Sequence, residues 1–202
     1  MSYIEIKTER LLIVPLSTKF LKTCEEYALN YENTKYMLNL PRESSDEILE
    51  FLKVIEEEWA KDEPRFYEFA ILHDDRHIGA IDIEFNDEGI GEIGWILNMK
   101  YQGQGYAFEA AEAMIEYFIK EKGVKHFIAH CDGENVASYK LMEKLGMIRT
   151  AESGGRRNRA ATKDSIEYQY ELVLDSKSKK ERPLIMNGAL FEKRKRGKVK
   201  KK

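Results

Sequence analysis

The run Gln102-Gly103-Gln104-Gly105-Tyr106-Ala107 joins the end of an alternating apolar segment to the start of a helical one. A glycine-rich turn entering a helix presents unpaired backbone N–H groups and the positive end of the helix dipole, which together hold a pyrophosphate. Glycine matters there because a Cβ keeps phosphate oxygens away from the backbone. Two familiar phosphate loops do not fit. A Walker loop ends in Gly-Lys-Ser/Thr, and Gly105 is followed by Tyr106. The dinucleotide fingerprint needs a third glycine where the chain has Phe108, and a preceding parallel strand. The two glycines alone are equally consistent with a tight turn that binds nothing. The histidines offer less. His73 and His77 flank a turn, and His126 and His130 fall on one strand face with no third ligand at suitable spacing, so no metal site is expected. His130 and Cys131 are neighbours on a strand and point to opposite faces.

The elements that must position this loop are legible in the periodicity. Arg10 to Leu16 has strand length, and Phe20, Leu21, Cys24, Tyr27 and Ala28 then recur at helical spacing. Ser44 or Ser45, with Asp46 and Glu47 behind, announces a second helix whose apolar face is Ile48, Leu49, Leu52, Ile55 and Trp59. Residues 65–98 alternate, with turns at His73-Asp74-Asp75 and Asn86-Asp87-Glu88-Gly89, and read as an antiparallel meander. After Tyr101 the period changes to 3.6: Ala107, Ala110, Ala111, Met114, Ile115 and Phe118 make one stripe, closed by Gly123. Phe127 to Cys131 is a strand, Val136 to Leu145 a helix stopped by Gly146, and Met147 to Ala151 another strand. Ile166, Tyr168, Tyr170, Leu172 and Leu174 alternate as the last one. The order is a strand, two helices, three strands, then helix, strand, helix and two strands, an α+β (mixed α/β) fold.

The chain has 202 residues, 43% of them hydrophobic, enough for one packed domain and too apolar for global disorder. It has no apolar run long enough to span a bilayer, and its opening residues lack the pattern of a signal peptide. Cys24 and Cys131 make neither a disulfide framework nor a zinc knuckle, so a reducing cytoplasm is the expected location. The net charge of -3 hides a split: residues 176–202 hold 12 Lys or Arg against Glu181 and Glu192, which leaves -13 on residues 1–175. Two regions follow, a domain over 1–175 and a basic C-terminal tail over 176–202 with a short apolar island between Pro183 and Phe191. The island is expected to dock on the domain or on a second subunit. The run from Lys193 to Lys202 could contact RNA or a ribosome, or serve only as a solvated tail.

Gln102-x-x-Gly105-x-Ala107 resembles the Gln/Arg-x-x-Gly-x-Gly/Ala signature of the GNAT superfamily of N-acetyltransferases. Asn135-Val136-Ala137-Ser138 followed by Glu143-Lys144-Leu145-Gly146-Met147 is similar to that family's second motif, with Met147 in place of the usual Phe. Thr8-Glu9-Arg10-Leu11-Leu12 and Glu92-Ile93-Gly94-Trp95 resemble the branch of ribosomal-protein N-terminal acetyltransferases. The resemblance spans about residues 7–175 and implies a mostly antiparallel sheet flanked by helices and splayed where acetyl-CoA inserts. It implies that the backbone of Ile96, Leu97 and Asn98 faces the pantetheine arm. Gln102, Gly103, Gln104, Gly105, Tyr106 and Ala107 would then hold the pyrophosphate, and Asn135 and Ser138 would line the arm. The acetyl group would pass directly to an amine in a ternary complex, so Cys131 is not expected to act as a nucleophile.

An acceptor amine, with a pKa of about 10.4 if lysine-like and about 8 if an α-amine, must lose a proton before it attacks. The resemblance makes Glu92 the candidate base, beside the plain reading of a solvated strand glutamate. The tyrosine that often protonates the leaving thiolate falls at Met142, which cannot donate. Ser138 is the nearest substitute and Tyr139 its rival, about 100° around the helix. Residues 17–64 and the loop around 154–163 would frame the acceptor, and the charge on residues 1–175 favours a cationic one: a protein N-terminus, a polyamine or another small amine. Dimerisation, common in the family, is a further expectation. Two other readings stay open: transfer of a longer acyl group, and a GNAT-fold protein that binds RNA or ribosomes through the tail and senses rather than transfers.

Overall fold

The computed structural model describes residues 2–174 and 190–195. The chain begins with β1 (Ser2–Lys7) and β2 (Leu11–Pro15), passes through a 3-10 turn at Thr18–Phe20, and forms α1 (Leu21–Ala28), the single-turn α2 (Tyr31–Thr34) and α3 (Ser45–Trp59). Then come β3 (Phe66–His73), β4 (Arg76–Phe85), β5 (Gly91–Leu97), α4 (Tyr106–Lys122), β6 (His126–Asp132), α5 (Val136–Lys144), β7 (Ile148–Arg156) and β8 (Ser165–Val173). A last strand, β9 (Leu190–Lys195), closes the described chain. One sheet contains them all, in the order β7-β8-β6-β5-β4-β3-β2-β1-β9. Its only parallel neighbours among the described residues are β5 and β6. The mixed α+β architecture with a mostly antiparallel sheet therefore stands.

Local chemistry explains the helix ends. The Ser44 side chain accepts from the Glu47 N–H, and the Glu47 carboxylate accepts from the Glu43 N–H at 2.8 Å, a reciprocal cap on α3. Gly123, with φ of 70°, turns the chain out of α4. The stripe Ala110, Ala111, Met114, Ile115 and Phe118 is buried, against Ile81, Ile83, Ile93, Phe127 and Ala129 on one sheet face. On the other face α1 and α3 bury Cys24, Tyr27, Ile48, Leu52 and Ile55 against Val14, Ala70 and Ala80.

Besides the single-turn α2, which no periodicity announced, three details differ from the sequence reading. β1 precedes the expected first strand, since Ile4 and Ile6 alternate into the core although the run is short. β7 extends to Arg156, because register shifts at Thr150 and Gly155 keep the strand paired with β8 through its glycines. Within the tail, residues 190–195 pair with β1 from Lys7↔Leu190 to Ser2↔Lys195. Leu190 and Phe191 of the apolar island, and Lys193 to Lys195 of the basic run, are thus in an edge strand. The remainder of the island and residues 196–202 lie outside the described residues.

Candidate functional site

The sheet parts beside the glycine-rich turn. β5 and β6 are in register only at Gly91↔Phe127 and Glu92↔Ile128; beyond that, β5 is paired with β4 alone. The antiparallel ladder decides which backbone groups face the opening. The Asn98 N–H donates to the Ile78 carbonyl at 2.9 Å. By alternation Ile96 and Asn98 direct their polar groups at β4, while Trp95 and Leu97 direct theirs into the gap. Of the expected trio Ile96, Leu97 and Asn98, only Leu97 therefore offers backbone to the opening. Its carbonyl accepts from Asn33 Nδ2 at 2.9 Å and Gln102 Nε2 at 3.0 Å. Asn33 Oδ1 also accepts from the Met99 N–H at 2.7 Å, so α2 is tied across the mouth. No sequence pattern had singled out Asn33. The Asn98 side chain is engaged in the fold, bonded to Glu26 and to the Lys100 N–H.

The turn itself is built for close approach. Gly103 and Gly105 have φ of 73° and 84°, and α4 starts on Gly105 with no side-chain cap. Its first N–H groups are thus left for a ligand. A Cβ on Gly103 would meet nothing within 4 Å, so the backbone lies open there. The side chains around the turn serve the fold: Gln104 Nε2 donates to the Lys100 carbonyl, and the Tyr106 hydroxyl pairs with His73 at 3.0 Å. Arg10 clamps the turn from the β1–β2 connection. Its guanidinium donates to the Gln104 carbonyl at 3.0 Å, pairs with Glu109 at 2.7 Å and lies over the Tyr106 ring. Burial opposes the charge of Glu109, but bonds from Thr8 and Arg10 outweigh it and hold the carboxyl below its usual range. A cleft of about 430 Å³ beside Gly105 is lined by four glutamates, Glu9, Glu109, Glu112 and Glu116, and by Arg10 and Lys144. The open backbone of residues 103–107 fits the pyrophosphate of a coenzyme A thioester.

On the face shared with α1 and α3, carboxylates gather next to the gap. Glu68 stands opposite Asp82 and Asp82 opposite Gly94, one turn of the pleat from Glu92. Burial and then the neighbouring carboxylates push both Glu68 and Asp82 upward. Glu92 is half exposed and lies 2.8 Å from His130 Nδ1. On the far side of the gap Asn135 caps α5, its Oδ1 accepting from the Ser138 N–H at 3.3 Å. Ser138 is half-buried in the first turn of α5. Tyr139 packs its ring on Tyr168, centroids 6.0 Å apart, toward the β7–β8 side. Met142 is buried. Burial raises the Cys131 thiol to about 11, which keeps it protonated at neutral pH.

The two segments expected to frame an acceptor meet one another. Arg159 Nη1 donates to Glu47 at 2.7 Å, its N–H to the Met37 carbonyl at 3.1 Å, and Arg156 reaches the Tyr36 carbonyl. A buried anchor holds this loop: Asp132 accepts from Asn158 at 2.5 Å, Ser165 at 2.6 Å and the Glu134 N–H at 2.8 Å. Burial disfavours the charge of Asp132, but these bonds and Arg156 hold its pKa down. Asp132→Ala strands the buried Asn158 amide, removes two further bonds from Ser165 and the Glu134 N–H, and is expected to cost about 2–3 kcal/mol in urea denaturation at pH 7. Because the folded pKa is depressed, this stability is present above the unfolded value of about 3.9 and is lost as pH falls through the folded one. The gap between wild type and variant should therefore narrow in acid.

Comparison with known proteins agrees with this geometry. Residues 10–148 match the family described as acetyltransferase (GNAT) domain. The chain is 35% identical over 145 residues to the uncharacterized N-acetyltransferase YnaD of Bacillus subtilis, covering 71% of this chain and 82% of that one. A GNAT-family acetyltransferase structure from Bacillus anthracis superposes with a TM-score of 0.72 at 29% identity, over 84% of this chain and 98% of that one. RimL, the ribosomal L7/L12 α-N-protein acetyltransferase in complex with coenzyme A, shares the fold with a TM-score of 0.70 at 14% identity, over 83% and 96% of the two chains. Sequence and fold thus agree, and this chain belongs to the GNAT family of acetyl-CoA-dependent acetyltransferases.

Proposed function

We propose that the protein moves an acetyl group from acetyl-CoA directly to the amine of a cationic acceptor while both are bound. The parting of β5 and β6 beyond Glu92, next to the uncapped start of α4, is the observation that carries this reading. Acetyl-CoA supplies the acetyl thioester. The N–H groups of residues 103–107 hold its pyrophosphate, and the Leu97 N–H faces the acyl end and polarises the thioester oxygen. Glu92 takes the proton of the amine, and Ser138 is the donor to the departing thiolate. The buried, protonated state of Cys131 supports direct transfer over an acetylated cysteine.

The acceptor side supports a cation. Glu68 and Asp82 are adjacent, half-buried carboxylates that oppose one another's ionisation, and an ammonium group between them relieves that conflict. The acceptors consistent with it are a protein N-terminus, as RimL's name states for that protein, a polyamine or another small cationic amine. Asp82→Asn is expected to raise the KM of the amine about tenfold, the worth of one charge-assisted contact, with the KM of acetyl-CoA unchanged. The reading is tested by incubating the protein with acetyl-CoA and a panel of N-terminal peptides, polyamines and aminoglycosides, following thiol release and product mass. Acetylated product from one cationic class supports it. Acetyl-CoA binding with no product from any amine contradicts it.

A further inference from the structure

We propose that His130 works through Glu92 as the final holder of the proton released by the acceptor amine, with Gln169 fixing the tautomer of the ring; this rests on the site being an amine acetylation centre. The geometry is a chain across three strands. Glu92 Oε1 lies 2.8 Å from His130 Nδ1, and Gln169 Oε1 lies 3.2 Å from His130 Nε2. The orientation of the Gln169 amide is set from its other side, where Nε2 donates to Glu171 at 2.8 Å and to Thr150 at 3.3 Å. Turning the amide over would set its oxygen against the Glu171 carboxylate. Oxygen therefore faces the imidazole, and His130 Nε2 carries a hydrogen. Nδ1 is left to Glu92 alone, either as the N–H of an imidazolium or as a lone pair ready for a proton.

The sheet places this pair where the reaction needs it. Glu92↔Ile128 is the last registered pair of β5 and β6, and His130 follows two residues later on the same face. The charged and titratable groups around it are Glu92 from β5, Glu167 from β8, and, through Gln169, Glu171 with its partner His126; Asp82 and Glu84 of β4 act on the Glu92 side. The bond from Glu92 comes first among their effects and, against burial, holds the imidazole above its ordinary range.

In the reactive state Glu92 is a carboxylate and His130 is neutral, with its hydrogen on Nε2. An N–H bond of the ammonium breaks, and its proton passes by way of the Glu92 carboxylate to Nδ1, leaving an imidazolium paired with Glu92. The electron pair freed on nitrogen forms the bond to the acetyl carbonyl carbon. The carbon–sulfur bond breaks with its pair on sulfur, which takes the hydroxyl proton of Ser138, and Ser138 recovers it from the second proton of the amine. His130 then returns its proton to water.

The test combines the pH dependence of kcat with nitrogen-15 NMR of the histidines in the full chain. The acid limb of wild-type kcat is expected to have its midpoint above 6.5, the ordinary histidine value. His130→Gln should lower the plateau about tenfold and move that midpoint down by about one pH unit or more, toward a carboxylate range, with the KM of acetyl-CoA within about twofold. Gln169→Glu, which adds a charge beside Nε2, should move the midpoint up. The spectra, which need no substrate, should show His130 as the Nε2–H tautomer titrating above 6.5, and lower in Glu92→Gln. An active His130→Gln with an unmoved limb overturns the proposal while amine acetylation stands, as does a His130 that titrates at or below its ordinary value. A wild-type chain that acetylates no amine overturns the underlying reading, a result the panel assay gives separately.

Discussion

Gly105→Val is expected to raise the KM of acetyl-CoA about a hundredfold. Gly105 sits at φ of 84°, where a β-branched residue is strained by about 1–3 kcal/mol, so the turn relaxes to another conformation. The turn's function depends on that conformation, because the N–H groups of residues 103–107 converge only while it is kept. A valine side chain also occupies space beside the backbone that a pyrophosphate needs, and it crowds the Arg10 guanidinium, 3.4 Å from a Cβ at this position. Gly123 provides the control. It has φ of 70° at the opposite end of the same helix, with nothing within 4 Å of a Cβ. Gly123→Val should cost similar stability and leave the KM of acetyl-CoA where it was. Initial rates at varied acetyl-CoA, with thermal unfolding of both variants, separate ligand binding from fold.

Glu92→Gln should lower kcat by about 10² to 10³, the usual worth of a positioned proton acceptor. The amide keeps the size of the side chain and can still accept from His130, but it cannot take up a proton. Because Glu92 is half exposed on a strand whose pairing is backbone, folding should change little and the KM of acetyl-CoA should stay within about twofold. A solvated strand glutamate with no catalytic part would leave kcat unaltered. Steady-state kinetics at saturating acetyl-CoA, across pH, tell the two apart.

Much of the frame was legible because it depends on local rules. The α4 stripe, the alternation of Ile93, Trp95 and Leu97, and the glycine stops at Gly123 and Gly146 are patterns within one element, and each appears where the periodicity places it. What was not legible depends on register between elements. His130 looked like an isolated residue because its partner Glu92 lies 38 positions earlier, on a parallel strand reached across α4. Glu68 and Asp82 face each other only because of a shift near Ile71. Counted from the His73↔Arg76 end of the hairpin, Glu68 would oppose Ile81, and one extra residue in β4 moves it to Asp82. The same holds for Ile96 and Asn98. Their position beside the loop could be read, but which strand their N–H groups serve follows from the bond between Asn98 and Ile78. Strand β9 pairs with the opposite end of the chain, and nothing in a run of basic residues announces such a partner.

The seat of acetyl-CoA is most directly tested by amide hydrogen exchange, residue by residue, with and without the cosubstrate. The account predicts new protection at residues 103–107 and at Trp95 and Leu97, with Ile96 and Asn98 unchanged because their N–H groups already serve β4. Protection confined to the cleft lined by Tyr139, Arg149 and Tyr168, with none at the turn or the gap, would contradict it.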